Sequence, residues 1–345
     1  MMLGLQAFLL ALLACLLILY VLKQNRLPRF YPPGPIWIPV IGGLWKIGFK
    51  LTPNSYSKLA AKYGNVYSLP IGSHASVIVS EFPAVKEFMI NHSEQISNRP
   101  LTPFLAALTD GKGIIFSNGD TWKQHRKFGI VTMRKLGIGK KNMERQVEEE
   151  ARQLVEYFAC AKGQLFDPSL LIRNSVVNVI CGVTFGTRFS MDDSDFLRLV
   201  EAVSTVIRFG GSLFHLLYES FPRLMKHLPG PHNEILACAA TIKSFARNQI
   251  DNHRAKPAMH EPQDFVDFYL LQMEKSKHDP GSTYDDNNLT QCITDFFLAG
   301  MDTTTTTLQW GLLLMATHPG IQGFLHKTVI MYIFYSDGWT PSADT

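Results

Sequence analysis

A chain of 345 residues that is 46% hydrophobic and 18% charged, with mean hydropathy near zero, is too apolar to be disordered; it holds one large domain with an appendage, or two domains by length alone. The formal charge of +4 is modest and no basic stripe marks a nucleic-acid surface, so the bases point to a membrane surface or an acidic protein partner. Cys15, Cys160, Cys181, Cys238 and Cys292 are odd in number, widely spaced and never at metal-ligand spacing, which argues against a disulfide framework and for a reducing compartment.

Residues 3–22 are almost continuously apolar, broken mainly by Gln6, and match the length a bilayer core requires. No positive segment precedes the run and no small-x-small cleavage site follows it. Lys23, Arg26 and Arg29 follow instead. This order predicts a single-pass signal-anchor over 1–22, with the N-terminus lumenal and the body of the protein in the cytosol. A cleaved signal peptide is the rival reading, and the sequons Asn91-His92-Ser93 and Asn288-Leu289-Thr290 matter only under it. A basic, proline-rich hinge covers 23–50. Its Pro32-Pro33-Gly34-Pro35, with Pro28 and Pro39 nearby, reads as a stiff extended connector. It is either a plain linker or a device that holds the domain at a fixed attitude to the membrane.

Residues 53–63 have the pattern of a short amphipathic helix that ends before Gly64. Residues 66–71 and 76–79 alternate like two strands around a Gly72-Ser73 turn, and 82–91 is helical again. The segment 100–118 reads as a loop with Gly111 and Gly113, yet it carries Phe104, Leu105, Leu108, Ile114, Ile115 and Phe116. Apolar side chains on a long connection tend to line something. Helices are predicted over 120–128, 142–161, 168–185, 193–217, 232–253 and 263–275. The loop 221–231 mixes Phe221, Leu224, Met225 and Leu228 with Arg223, Lys226 and His227. It suits a surface that dips into a membrane interface, and equally an ordinary amphipathic loop packed on its neighbours. A few strands near the N-terminus followed by long helices make the class mainly α with a small β-sheet. The chain has no internal repeat and no Walker or Rossmann glycine pattern.

Residues 288–317 form the longest helical pattern, with apolar residues at Leu289, Ile293, Phe296, Phe297, Leu308, Leu312 and Met315. Asp285 and Asp286 precede it, where a helix N-terminus favours negative charge, and His318-Pro319 stops it. Its centre holds Gly300, a poor helix former, then Asp302 and the threonine run Thr303 to Thr307. That composition reads either as a backbone that loosens beside a ligand and carries an acid–alcohol pair, or as a threonine-rich surface turn of an ordinary helix. Phe296 and Leu308 point differently from Phe297 and Leu312, so the helix expects packing all round. Upstream, Trp122 and Arg126 stand one turn apart. An indole N–H beside a guanidinium is a donor pair for a carboxylate or phosphate; the alternative is a tryptophan covered by an arginine stem.

Taken together, the proline hinge at 32–35, Asn98-Arg99-Pro100, the Trp-x-x-x-Arg pair, the 221–231 loop and Ala299-Gly300-Met301-Asp302-Thr303-Thr304 give the chain a close resemblance to a microsomal cytochrome P450 of the family-2 type, from the N-terminal anchor to Gln322. The resemblance implies the N-terminal two-thirds of that fold, preceded by a transmembrane helix, with the domain over 51–325 and a divergent tail over 326–345. It implies haem as cofactor, with no bound flavin or nicotinamide, and insertion of one oxygen atom into an apolar small molecule, a fatty acid or a lipophilic xenobiotic. Electrons would come from an NADPH-dependent flavoprotein reductase, with cytochrome b5 as a further candidate partner, at the endoplasmic-reticulum bilayer and with no role for nucleic acid.

Residue by residue, the resemblance makes Trp122, Arg126 and Arg99 propionate donors and places Ala299 and Gly300 over the haem. Asp302 and Thr303 become the catalytic acid–alcohol pair that relays protons, and a bulky residue at Gly300 would fill the cavity beside them. Phe116, Phe209, Phe296 and Phe297 fall in substrate-recognition segments, as do Ile115 and Leu213. Lys123, Lys127, Arg134 and Lys135 belong to a basic face for the reductase, or to a merely solvated helix.

The departure is at the C-terminal end. No cysteine follows Cys292 and no arginine follows Arg254, so the family's Glu-x-x-Arg pair and cysteine ligand loop are missing from these residues. The chain reads as truncated before the axial thiolate, with no residue offered as a metal ligand. The alternative function is therefore a catalytically inactive membrane-bound fragment. Val329 to Tyr335 reads as an uncharged, β-prone segment.

Overall fold

In the computed structural model, the described residues are 12, 15, 18–19, 30–38, 41–48, 52–72, 74–137, 141–209, 212–255 and 261–336. They form a mainly helical protein with one two-stranded sheet, in two compact units. The elements in order are α1 (Pro53–Tyr63), β1 (Val66–Ser68), β2 (Val77–Val79), α2 (Phe82–Asn91), α3 (Ser93–Ile96), α4 (Pro103–Thr109), α5 (Gly119–Leu136), α6 (Lys141–Cys160) and α7 (Ser169–Phe185). They continue with α8 (Ser194–Phe209), α9 (Leu213–Ser220), α10 (Pro222–Met225), α11 (Pro231–Ala255), α12 (Phe265–Lys275), α13 (Asp286–Thr317) and α14 (Pro319–Ser336).

The first unit comprises Met1–Lys112, Phe116–Gly119 and Arg208–Ala237. Its sheet is antiparallel, with Val66 opposite Val79 and Ser68 opposite Val77, and it seals a small core of Leu59, Tyr67 and Leu69. The helix α1 begins where Thr52 accepts the Ser55 N–H at 3.3 Å, a side-chain cap, and ends at Gly64 with φ +95°. The proline hinge is strapped to β1: Ser68 donates from its N–H to the Pro33 carbonyl at 2.9 Å and from Oγ to the Pro32 carbonyl at 2.7 Å. Gly34 makes that approach possible, since a Cβ there would collide with the Ser68 carbonyl. Farther on, Thr102 donates to Glu219 at 2.6 Å, beneath an aromatic cluster of Phe104, Phe209, His215 and Tyr218.

The second unit comprises Gly113–Ile115, Asp120–Ile207 and Cys238–Thr345. Its core is built round α7 and the first half of α13, packed with residues of α8, α11 and α12. The helix α7 is buried over most of its surface, with Ile172, Val177, Cys181 and Phe185 enclosed beside the polar Asn174, Asn178 and Thr184, as befits a helix surrounded by others. The helix α13 is 32 residues long, so it runs about 48 Å; Asp285 caps it by accepting the Asn288 N–H at 2.7 Å.

Several boundaries differ from the sequence reading. The expected loop 100–118 contains α4, started by Pro103 in the first turn, where proline is tolerated because its missing N–H has no partner to lose. The single helix expected over 193–217 is two. Two glycines stand in sequence between them, and Ser212 caps α9 by accepting the His215 N–H at 3.1 Å. The loop 221–231 contains the one-turn α10. The strand-like run from Val329 is part of α14, because a helix already nucleated at Pro319 extends at small cost per residue. Of the predicted anchor over 1–22, only Leu12, Cys15, Ile18 and Leu19 are described, all helical; the rest of that expectation lies outside the described residues. Among the described residues, no single helix is long and apolar enough to cross a membrane.

Candidate functional site

The helix α5 positions the donor pair. Trp122 is half-buried and Arg126 is exposed, one turn on, with its guanidinium carbon 5.3 Å from the indole centroid, a cation–π arrangement. Arg126 has no ion-pair partner among the described residues, so its charge is open to a ligand. It borders a cleft of about 440 Å³ whose apolar lining is Ile114, Ile130, Met133 and Phe296, with Gly129 and Arg134 completing the wall. That volume falls within the roughly 300–1,000 Å³ range of small-molecule sites.

The helix α13 supplies the other wall. Phe296 is half-buried and packs edge-on to Phe265 at 4.7 Å, while Phe297, the next residue, is fully buried against Phe185 at 6.0 Å. Successive helix residues point about 100° apart, so one of the two faces the cleft and the other faces the core. Ala299 and Thr303 continue the exposed stripe: the Thr303 hydroxyl donates to the Ala299 carbonyl at 2.8 Å, and Thr307 repeats this to Thr303 at 2.8 Å. The threonine run is thus accommodated inside an unbroken helix by hydroxyls bonding one turn back, rather than by a local opening of the backbone. Asp302 is half-buried, about 100° round the helix from Thr303. Gly300 is half-buried, and a Cβ there would stand 2.9 Å from the Ile180 Cδ1 of α7, so its smallness serves helix–helix contact.

Sequence reasoning missed Asp295. It is 3% exposed, and its Oδ2 accepts the backbone N–H groups of Ile114 at 2.6 Å and Ile115 at 3.0 Å, while Oδ1 accepts from Gln291 Nε2 at 2.9 Å. Gly113 donates to Asn288 Oδ1 at 3.1 Å beside it. Three backbone N–H bonds therefore moor the stretch 113–115 to α13, those to Asp295 one turn from Ala299. Gly113 has φ +80°, and a Cβ would run into the Asp295 carboxylate. Burial pushes the Asp295 carboxyl up to about 6, against the lowering effect of those donors and of Lys243. The available signal was an acid set inside the apolar run from Ile293 to Phe297.

The remaining predicted residues lie elsewhere. Ile115 is half-buried and held through its N–H by Asp295. Phe116, half-buried, belongs to the first unit, as do Arg99 and Phe209. Arg99 is exposed; its main chain exchanges bonds of 2.7 and 2.8 Å with the Asn118 amide, and its guanidinium donates to the Ser97 carbonyl at 3.3 Å. Phe209 is 6% exposed, packed on Phe104 at 5.0 Å. The side chain of Leu213 lies outside the described residues. Lys123, Lys127, Arg134 and Lys135 are all exposed on α5.

Of the cysteines, none lines the cleft beside Arg126. Cys181 and Cys292 are buried and their thiols are pushed well above the usual range by burial, with Glu150 adding to the first and Asp295 to the second.

Comparison with known proteins matches residues 32–333 to the cytochrome P450 family model. The chain is 38% identical to cytochrome P450 2J2 of Homo sapiens over 92% of its own length and 63% of that protein's. It is 37% identical to cytochrome P450 2J5 of Mus musculus, covering 93% of this chain and 64% of the relative. With cytochrome P450 2B4 of Oryctolagus cuniculus the identity is 36%, over 93% and 65% of the two chains. The chain thus spans about two-thirds of the length of the curated relatives it matches. The family implies a haem cofactor, and the mainly helical architecture with its small sheet agrees with it: this chain belongs to the cytochrome P450 family.

Proposed function

We propose that the cleft between α5 and α13 is the carboxylate-binding edge and oxygen-side wall of a haem site. The observation that carries this reading is the Arg126 guanidinium, without an ion-pair partner among the described residues, lying over Trp122 at the border of an apolar cleft. A guanidinium and an indole N–H fit a propionate, and Ile114, Ile130, Met133 and Phe296 fit a flat apolar ring. The residues present fit those two features of haem; no cysteine lines the cleft to fit the third, its axial thiolate. Haem with such a ligand supplies the oxygen-activating chemistry. This chain's own residues bind the carboxylate through Arg126, exclude water through Phe296 and Ile114, and set the Thr303 hydroxyl on the open stripe with its proton held by the Ala299 carbonyl. The Thr303 oxygen keeps lone pairs free to accept a proton donor, and the half-buried Asp302 stands next in the chain as the neighbouring acid.

In this reading the complete enzyme is a monooxygenase of fatty acids or lipophilic xenobiotics. It sits at the endoplasmic-reticulum membrane through a single anchor, with its body in the cytosol. It is reduced by an NADPH-dependent flavoprotein reductase, or by cytochrome b5, at the basic face of α5. A second reading, a chain inactive by itself, is favoured by the burial of Cys292 and Cys181 and by the lack of a cysteine beside the cleft. Haem titration of the purified 345-residue chain tests both. The first reading expects saturable haem uptake that Arg126→Ala weakens by about tenfold, the scale of one charge-assisted contact. Equal uptake by the two proteins would remove the propionate role. The thiolate-specific Soret band of the reduced, CO-bound form separates the second reading: its appearance in this chain alone would overturn inactivity.

A further inference from the structure

Away from that cleft, the end of α11 meets the start of α12. His253 and Asp264 are both buried there, with side chains 3% and 4% exposed, and His253 Nε2 lies 2.8 Å from Asp264 Oδ2. The other ring nitrogen, Nδ1, is 2.7 Å from the Gln249 carbonyl. A carbonyl oxygen only accepts, so Nδ1 carries a proton, and the position between Nε2 and the carboxylate is filled either by a second proton, which makes an imidazolium–carboxylate ion pair, or by a metal ion. In either case a positive charge stands between His253 Nε2 and Asp264 Oδ2, 2.8 Å apart.

A third ligand atom stands by. His253, Asp264 and Asp267 offer donor atoms that all lie within 4.8 Å of one another. Asp264 Oδ1 is occupied in capping α12, accepting the Asp267 N–H at 2.9 Å, which leaves Oδ2 for the site. Asp267 accepts the Gln263 N–H at 3.1 Å, which fixes its carboxylate, and it is half-buried, so the group is reachable from solvent. Among the described residues, no lysine or arginine is ion-paired with either carboxylate; Arg254, beside His253, turns to Asp286. Gly186, the left-handed residue that ends α7, lies against the cluster: a Cβ there would stand 3.0 Å from Asp264 Oδ2.

We propose that His253, Asp264 and Asp267 form a divalent-cation site, with zinc the ion its donors suit. One imidazole and two carboxylates are a set that zinc accepts, leaving a fourth position for water. The Nδ1–H bond to a backbone carbonyl is the outer contact that orients a metal-binding histidine. Zinc bonds of about 2.0–2.2 Å require the Nε2–Oδ2 pair to open by about half an ångström. The ion would join the last turn of α11 to the first turn of α12 and so would be structural rather than part of the haem chemistry.

The test uses the full chain, stripped with chelator and titrated with zinc chloride alone. One equivalent should bind and raise the unfolding temperature, and chelator should reverse the rise. Asp267→Asn keeps an acceptor for the Gln263 N–H but loses the charge, and should weaken zinc binding by more than about tenfold, the scale of losing one ligand contact. That variant also separates this site from adventitious zinc at the exposed thiols of Cys15 and Cys160. Binding unchanged in Asp267→Asn, or no zinc-dependent shift in the parent chain, overturns the proposal. So does a nitrogen NMR signature of His253 that stays doubly protonated in excess zinc, since a shared proton then fills the position assigned to the metal.

Discussion

The two halves of α13 invert the ordinary relation between hydropathy and burial. In the first half, Asn288, Gln291 and Asp295 are only 2–3% exposed. In the second, Leu308, Trp310 and Leu314 are 46%, 58% and 53% exposed. The difference lies in the neighbours. The first half is enclosed by α7 and by residues of α11 and α12, and each of those three polar side chains has a donor or acceptor placed for it. The second half meets chiefly α14, whose Ile321, Phe324 and Val329 are themselves 55–68% exposed. A helix side chain's fate is thus decided by what stands opposite it, and polar residues are the more specific ones because they demand particular partners.

The sharpest way to break this comparison is to truncate one large side chain in each half. Phe297→Ala removes a ring at 0% exposure from the contact with Phe185 and should cost about 3–5 kcal/mol. Leu314→Ala in the second half should stay within about 0.5 kcal/mol. Urea unfolding of the full chain, followed by helicity, reads both. Similar costs would mean that the second half is packed in solution.

Asp295 gives the next largest effect. Asp295→Ala leaves the N–H groups of Ile114 and Ile115 without their acceptor and should cost about 2–4 kcal/mol. The pH dependence has the opposite sign to that of a surface carboxylate. The folded carboxyl sits at about 6, above the roughly 3.9 of an unfolded chain, so the native state binds the proton more tightly. This group therefore makes folding more favourable as pH falls from about 6 towards 4, by up to about 3 kcal/mol, and that gain is absent at neutral pH. Asp295→Asn should erase the dependence at little cost. Its oxygen still accepts from the loop, and the buried Gln291 Oε1, which has no partner in the native chain, becomes an acceptor for the new amide. A pH–stability curve for Asp295→Asn that keeps the wild-type slope between pH 4 and 6 would assign the dependence to another group.

What the sequence allowed follows the same division. Helices with a clear apolar stripe and a cap residue, α1 and α13, were legible to within two residues, because the stripe and the cap are local properties. Trp122 and Arg126 were legible as a pair, since their spacing alone puts them on one face. The mooring of 113–115 by Asp295 was not, because residues about 180 positions apart in sequence leave no local pattern. Phe296 and Phe297 show the limit at single-residue scale: both are aromatic and adjacent, and only the packing of α7 and α12 decides which reaches the cleft.

The exposed half of α13 also makes a prediction of its own. Replacing Leu308 and Leu312, which are 46% and 42% exposed, by glutamate should leave unfolding within about 1 kcal/mol while lowering dye binding and self-association. Loss of folding in that double variant would show that these side chains are covered in the monomer.

The smallest effect tests the residue on which packing and function make different claims. Gly300→Ala gains about 0.8–1.0 kcal/mol of helix propensity. It also brings a methyl within 2.9 Å of Ile180 Cδ1, an overpacking that costs roughly 1–3 kcal/mol when nothing yields. The atom in the way is the far end of a flexible side chain on α7, so the two terms should nearly cancel and leave the variant within about 1 kcal/mol of wild type. Ile180→Val deletes that terminal carbon. In the Ile180→Val background the same alanine should be stabilising, by up to about 0.5–1 kcal/mol, because the propensity gain then opposes only the remaining Cγ1 contact at 3.3 Å. The double-mutant cycle therefore expects a coupling of about 1 kcal/mol between positions 180 and 300. If the cycle is additive, Ile180 does not hold Gly300 in place. The absence of a side chain at 300 would then have to be explained by the open stripe it shares with Ala299 and Thr303, and haem uptake rather than stability would be the property that the alanine changes.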